Sequence, residues 1–279
     1  MIDASTLDRL ACIAIAAGMR ILRLDRGSIA ATAKADGSPV TQADLDANDE
    51  IVKGLAEQFP QIPVVSEESS PSDDAGARFV FMVDPLDGTK EFLRGADEFT
   101  VNIAMLDGAS PIAGVVYAPA LQVIYAGAAG QGARRAAVTN GAAEAWQAIR
   151  AVSLAGPLRV VASRSHRTPE TQHFIDRYPV ANTVSIGSSL KFCLLAAGEA
   201  DLYPRMGATM EWDTAAGDAI LRAAGGTVCT LDRQPLQYRK AGTAACGAFT
   251  NPWFVAAGAF DPFDARWHSG NATAAADTR

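Results

Sequence analysis

Three apolar runs, FTVNIAML, PIAGVVYAP and LQVIYAGAA, follow one another between Phe99 and Ala129 with only DGAS and APA to turn the chain between them. Their β-branched and aromatic content, bounded by Gly, Pro and Asp, marks them as strands. Connections this short can join only antiparallel neighbours, because a parallel return needs a crossover of a dozen or more residues. The centre of the first half is therefore an antiparallel meander rather than a βαβ series, and whatever flanks it must pack on a sheet.

Upstream, Leu7, Leu10, Ala14, Ala17, Ile21 and Leu24 recur every three or four residues, which predicts an amphipathic helix with Ser5 as its cap. After the loop AKADGSPV, Thr41 and Asp44 form a T-x-x-D capping pattern, and Leu45, Val52, Leu55 and Phe59 extend as a second stripe as far as Pro60. IPVV and FVFMV read as short buried strands that enter SEES and DPLDG. From Gly127 to about Gly156 the chain is Ala/Gly-rich and weakly patterned, so a boundary is expected near residue 155, dividing an N-terminal half (1–155) from a C-terminal half (156–268) and a frayed tail (269–279). The second half reads as strand LRVVAS, a helix from Pro169 to Tyr178, helix SLKFCLLAAG, strand ADLYP, helix DTAAGDAILRAAG and strand GTVCTL. This mixed α/β order predicts a second layered unit stacked on the first.

A formal net charge of -7 without any Lys/Arg run leaves no electrostatic case for polymeric DNA or RNA. Cys12, Cys193, Cys229 and Cys246 form no C-x-x-C pair, which suits reduced, mostly buried thiols better than disulfides or zinc. LACIAIAAGM, between Arg9 and Arg20, is too short to span a bilayer. Asp3 and Asp8 stand where a signal peptide would be basic. A cytoplasmic protein without an integral membrane segment is expected; peripheral membrane contact and oligomeric state stay open.

In DPLDG, Pro85 pushes Asp84 into an extended conformation, so Asp84 should end its strand while Leu86 and Asp87 turn the chain. Two carboxylates and a turn carbonyl can then meet one cation. Like charges this close call for shared protons or a hard ion. With three histidines (His166, His173, His268) and no cysteine pair, the donor set is all oxygen and magnesium is the expected ion. Gly88 and Thr89 follow at the start of a helical turn, where main-chain N–H groups suit phosphate. Taken singly, each feature has a plainer reading. DPLDG also makes a turn with capping acids, Glu67 and Glu68 in SEES also make solvated loop charges, and Asp213 in EWDTAAGD also makes a helix N-cap.

In this order, SPVTQAD, SEES, DPLDGTKEF and EWDTAAGD resemble the lithium-sensitive, magnesium-dependent phosphatase superfamily of inositol monophosphatase, fructose bisphosphatase and the bisphosphate nucleotidases. DGTKEF, ASRSH (162–166) and GSSLKFC (187–193) are similar to its bacterial 3'(2'),5'-bisphosphate nucleotidase, or CysQ-type, branch. The resemblance implies an αβαβα layered sandwich and two or three Mg2+ held by Glu67, Asp84, the Leu86 carbonyl, Asp87 and Asp213. It implies a Thr89–Asp44 pair that helps Glu67 orient and deprotonate the attacking water, with Glu68 in support. Substrate contacts would come from Leu86, Asp87, Gly88, Thr89, Ser163, Ser188, Lys191 and Asp213, with Arg164, His166 and Ser189 as further candidates for the sugar, base or 5'-phosphate. The implied reaction is removal of the 3'-phosphate from adenosine 3',5'-bisphosphate, a by-product of sulfate assimilation, and of its sulfated precursor, by direct displacement. Lys191 equally suits a helix surface, and Asp44 equally suits a capping box. An inositol monophosphatase or other sugar phosphatase is the alternative enzyme. A metal-dependent phosphate-ligand sensor without turnover is the alternative of another class, and the Glu67–Thr89–Asp44 set argues against it.

Overall fold

The structure is a computed structural model that describes residues 2–26, 31–34, 39–69, 76–165, 167–240 and 249–267; Ser38, His166, Cys246, His268 and the tail fall outside them. The chain begins with helix α1 (Ala4–Leu22), whose apolar stripe is buried as expected. Its cap is Asp3 rather than Ser5: Asp3 Oδ1 accepts the Thr6 N–H at 2.8 Å, and Ser5 lies inside the first turn. Leu24 lies beyond the end of the helix. A two-stranded ribbon, β1 (Thr32–Ala33) with β2 (Pro39–Val40), leads to α2 (Gln42–Gln58). The buried face of α2 is Ala43, Ala47, Ile51 and Leu55, while Leu45 is 42% exposed. The expected stripe is thus rotated, because small alanines on the inner face let α2 lie close against α1.

Strands β3 (Val64–Ser66) and β4 (Phe79–Asp87) are parallel; the short helix α3 (Thr89–Leu93) follows. The meander is β5 (Thr100–Asp107), β6 (Ser110–Ala118) and β7 (Val123–Ala128). It continues through β8 (Gly132–Thr139), β9 (Ala142–Ala143) and β10 (Gln147–Ile149), in the stretch that had looked unpatterned. GARRAAVT carries β-branched residues only at its end, Val138 and Thr139, but β7 offers it an open edge to pair with. The resulting sheet runs β10-β8-β7-β6-β5-β4-β3, with β9 on β8.

The second sheet is built from β11 (Leu158–Ser163), β12 (Val180–Ile186), β13 (Leu202–Arg205), β14 (Thr227–Thr230) and β15 (Phe254–Ala257), in the order β12-β11-β13-β15-β14. Of these, β12 and β15 were not anticipated. Helices α4 (Pro169–Ile175), α5 (Leu190–Ala196) and α6 (Ala215–Ala223) complete the fold.

Side chains alternate across both sheets and so define the layers. Phe81, Val83, Val101, Ile103 and Tyr117 pack with α1 and α2, whereas Met82, Ala104, Leu106 and Val116 pack with α5 and α6. Across that middle layer, Val161, Tyr203, Phe254 and Ala256 face the same two helices, while Val160, Leu202 and Val255 face α4. The order is helix, sheet, helix, sheet, helix. Cys193 and Cys229 are buried free thiols, and Cys12 is a free thiol on the exposed side of α1.

Candidate active site

The acidic residues are delivered by strand ends. In β4 the pairing with β5 is interrupted and resumes, Asp84 opposite Asn102 and Asp87 opposite Thr100, so the strand does not stop at Asp84 but bulges through Pro85 and Leu86. Asp84 Oδ1 accepts the Leu86 N–H at 3.0 Å, which closes the turn. Gly88 has φ +96°, and a Cβ there would lie 3.2 Å from the Glu98 carbonyl, so glycine is required where the chain swings into α3. Because β3 runs parallel to β4, both strands end on the same side; the Glu67 N–H donates to Val83 O at 3.1 Å and sets Glu67 beside Asp84.

Asp213 sits in the turn before α6. Thr214, not Asp213, occupies the cap position, and Asp213 Oδ2 instead accepts the Met210 N–H at 2.9 Å. Asn251 pins that turn through Met210 O (2.8 Å) and Thr214 Oγ1 (2.9 Å). Glu67, Asp84 and Asp213 each place a carboxylate oxygen within 4.8 Å of the others. Asp87 is not one of the three, but it shares their cleft. The two oxygens of Asp44 divide their work: Oδ2 accepts the Thr41 N–H at 2.8 Å to complete the capping box, and Oδ1 accepts from Thr89 Oγ1 at 3.1 Å. Capping and contact with Thr89 therefore coexist. Asn48, one turn along α2, holds the acidic turn by accepting from Ser66 Oγ at 2.7 Å and donating to Ser69 Oγ at 3.0 Å.

Burial, followed by repulsion from neighbouring carboxylates, pushes Asp84 and Asp213 well above the usual aspartate range. Burial also raises Glu67 and Asp87, against the pull of Lys34 on the first and of Lys191 and Ser189 on the second. A buried group of acids with such mutual repulsion takes up protons or a cation, and an all-oxygen donor set fits a hard divalent ion. Among the described residues Lys34 is in salt-bridge contact with the acidic group, its Nζ 2.7 Å from Glu67 Oε1 and 2.5 Å from Glu68 Oε1. Burial opposes the charge on Lys34, but the two glutamates outweigh it and raise its pKa.

The same cleft, about 300 Å3, is lined by Gly88, Thr89, Ser163, Ser188, Lys191 and Arg205. Lys191 is 5% exposed, so it is no helix-surface lysine. Its ammonium donates to Ile186 O (3.3 Å) and Ser188 O (2.5 Å), and burial, against the attraction of Asp87, lowers its pKa to about 8. Arg205, also 5% exposed, donates through Nη2 to Ala208 O, while its buried Nε has no partner among the described residues. Glu91 holds Ser165 Oγ at 2.7 Å on the cleft wall. Two expected contacts point elsewhere. Arg164 pairs with Glu98 at 2.7 Å, and Ser189 does not line the cleft but donates to Asp87, which does. His166 lies outside the described residues. Sequence reasoning missed Lys34, Asn48, Asn102 and Arg205; only Asn48, four residues after Asp44 on the same helical face, carried a signal that could have found it.

The family model for the inositol monophosphatase family matches residues 3–259. The chain is 43% identical over 258 residues to the 3'(2'),5'-bisphosphate nucleotidase CysQ of Shigella flexneri, covering 89% of this chain and 98% of that protein. It is 42% identical over 252 residues to the CysQ nucleotidase of Escherichia coli K12, with the same coverage. Among solved structures, CysQ from Bacteroides thetaiotaomicron superposes with a TM-score of 0.78 at 37% identity over 92% of this chain and 98% of that one. No helix among the described residues is long and apolar enough to cross a membrane. The five alternating layers, the acids at the strand ends and these likenesses together place the chain in the inositol monophosphatase family.

Proposed function

We infer that the chain is a magnesium-dependent 3'(2'),5'-bisphosphate nucleotidase that hydrolyses the 3'-phosphate of adenosine 3',5'-bisphosphate to AMP and phosphate. The observation that carries this reading, beside the nucleotidase relatives, is that one cleft holds two charged groups of opposite sign. A sugar monophosphate needs only the acidic group and its metal. Lys191 and the unpaired Nε of Arg205 supply a buried basic group suited to a second phosphate.

Glu67, Asp84, the Leu86 carbonyl, Asp87 and Asp213 would hold two or three Mg2+. Bound there, magnesium would neutralise the phosphate oxygens, lower the pKa of water and stabilise the leaving alkoxide. Thr89 donates its hydroxyl hydrogen bond to Asp44 Oδ1, so its lone pairs accept from the attacking water. Glu67 takes the water's other proton as the water oxygen bonds to phosphorus, the ester phosphorus–oxygen bond breaks, and the departing 3'-oxygen takes a proton from solvent. Gly88 and Thr89 approach the transferred phosphate with their main chain, and Ser163 and Ser188 face the nucleotide body. No cysteine lines the cleft among the described residues, and attack by Asp84 or Asp87 would compete with its role as ligand, so displacement by water is direct.

The test is phosphate release from adenosine 3',5'-bisphosphate, its sulfated precursor, 3'-AMP and inositol 1-phosphate, each with and without Mg2+. Preference for the two bisphosphates with strict metal dependence is expected. Preference for inositol phosphate would replace this reading with a sugar phosphatase, and tight binding without release would replace it with a sensor.

A further inference from the structure

Ser189 lies at the start of α5, 1% exposed, and does not line the cleft, although its neighbour Ser188 does. Its Oγ lies 2.7 Å from Asp87 Oδ2 and 2.8 Å from the main-chain oxygen of Asp213. Asn102 Nδ2, from the third residue of β5, donates to Ser189 Oγ at 2.7 Å and approaches Asp87 Oδ2 at 3.5 Å. A hydroxyl has one proton. With Asn102 filling an acceptor site on Ser189, that proton is directed to Asp87 or the Asp213 carbonyl, and an ionised carboxylate is the stronger acceptor.

The orientation of the Asn102 amide decides where the Ser189 proton goes. Reversed, Oδ1 would stand 3.5 Å from the Asp87 carboxylate and take that proton itself; as oriented, Nδ2 leaves it to Asp87. In the orientation present, Oδ1 is fully buried without a partner among the described residues, a cost a plain apolar residue in TVNIAMLD would avoid. The donor end of Asn102 thus has a task that its acceptor end does not share. Asp87 comes from the first sheet and Asp213 from the turn before α6, and Ser189 touches both.

We propose that Ser189, backed by Asn102, is a positioning residue for the metal site: it anchors Asp87 Oδ2 from behind, leaves Oδ1 for the cation, and fixes Asp87 against the Asp213 turn. The proposal rests on the metal-dependent reading above but concerns cation binding rather than choice of substrate.

The experiment is calorimetric titration of the full chain with Mg2+, without substrate, for wild type, Ser189→Ala, Asn102→Ala, the double variant and Ser188→Ala, with the melting temperature of each metal-free protein. Ser189→Ala is expected to weaken Mg2+ binding about tenfold. The Mg2+ needed for half-maximal turnover should rise by the same factor, with the KM for nucleotide at saturating Mg2+ unchanged. Asn102→Ala should weaken binding less, and the double variant no more than Ser189→Ala alone, because Asn102 acts through Ser189. Ser188→Ala should move KM and leave the metal titration in place. Should Ser189→Ala fail to fold, Ser189→Cys, which keeps a weaker donor, is expected to bind Mg2+ with an affinity below that of wild type. The proposal is overturned if the serine variant binds Mg2+ as wild type does, whether its melting temperature falls or not, if the effects of Ser189→Ala and Asn102→Ala add, or if KM rises while the metal titration stays put. Wild type that binds Mg2+ but releases no phosphate would sink the nucleotidase reading, and the calorimetry would still decide on Ser189.

Discussion

The acidic and basic parts of the cleft both bury charge, in opposite senses. Asp84 and Asp213 are buried among like charges and raised in pKa, so the fold holds them at a cost that a cation would remove. Lys191 is buried with main-chain carbonyls in place of a carboxylate and is lowered to about 8, a cost that an anion would remove. One fold thus places two buried groups of opposite charge in one cleft, and each should respond oppositely to mutation, metal and pH.

The largest effect is expected at the acids. Asp213→Asn removes a donor from a site worth several kcal/mol of transition-state stabilisation, so turnover should fall about a thousandfold at 1.36 kcal/mol per decade. The metal-free variant should nevertheless melt higher than wild type, because a buried repulsion is gone. Steady-state rates and thermal melts check both, and a turnover within tenfold of wild type would remove Asp213 from the site. At the basic part, Arg205→Met should raise KM for adenosine 3',5'-bisphosphate about 10- to 100-fold, since hydrogen bonds to charged groups contribute about 1.5–3 kcal/mol. KM for 3'-AMP, which lacks the second phosphate, should hardly move. Equal effects on both substrates would end the division of the cleft.

The two parts also differed in how far they could be read in advance. Glu67, Asp84, Asp87 and Asp213 stand next to turn formers at the ends of apolar runs, where a charged residue at a strand end is conspicuous against its neighbours. Arg205 sits inside LYPR on a strand, and Lys191 inside LKFCLLA on a helix, and each reads locally as an ordinary solvated charge. Their burial arises from two sheets and a helix layer closing over them, which no local pattern records. The same reason hid β8: GARRAAVT is a strand because β7 needs a neighbour, not because of its own residues. The meander, the two N-terminal helices and a second layered unit follow from periodicity and short turns and were legible, whereas the αβαβα order came with the family resemblance and the cap of α1 is Asp3 where Ser5 was expected.

Titration sharpens the contrast. The acids are raised, so between the usual aspartate value of 3.8 and their higher folded values the native state binds more protons than the unfolded one, and stability contributed by these groups falls as pH rises. Lys191 is lowered, so between about 8 and its usual 10.5 the unfolded state binds more protons, and its contribution rises with pH. The gain in melting temperature on adding Mg2+ should therefore grow from pH 5 to pH 7.5. The KM for the bisphosphate should climb as pH passes about 8, and Lys191→Met should abolish that climb. A pH-independent Mg2+ effect would mean that the acids do not hold the cation, and a climb that survives in Lys191→Met would mean that another group binds the second phosphate.

The smallest effect concerns Lys34, the point where the two halves of the comparison meet, since it is a protein cation already placed on the acids. Its ion pairs with Glu67 and Glu68 are largely shielded from solvent and should contribute about 1 kcal/mol to the metal-free protein. Lys34→Met should lower the metal-free melting temperature by about 2–4 °C. Glu67 Oε1 has to release the ammonium before it can serve a metal ion, so what stabilises the metal-free form opposes binding by the same amount. By linkage the variant should bind Mg2+ about fivefold more tightly, at 1.4 kcal/mol per decade. Calorimetry beside the melt measures the two quantities independently. Weaker binding in Lys34→Met would mean that the lysine organises Glu67 for the ion instead of competing with it, and the acids would then be only partly dependent on the metal for their counter-charge.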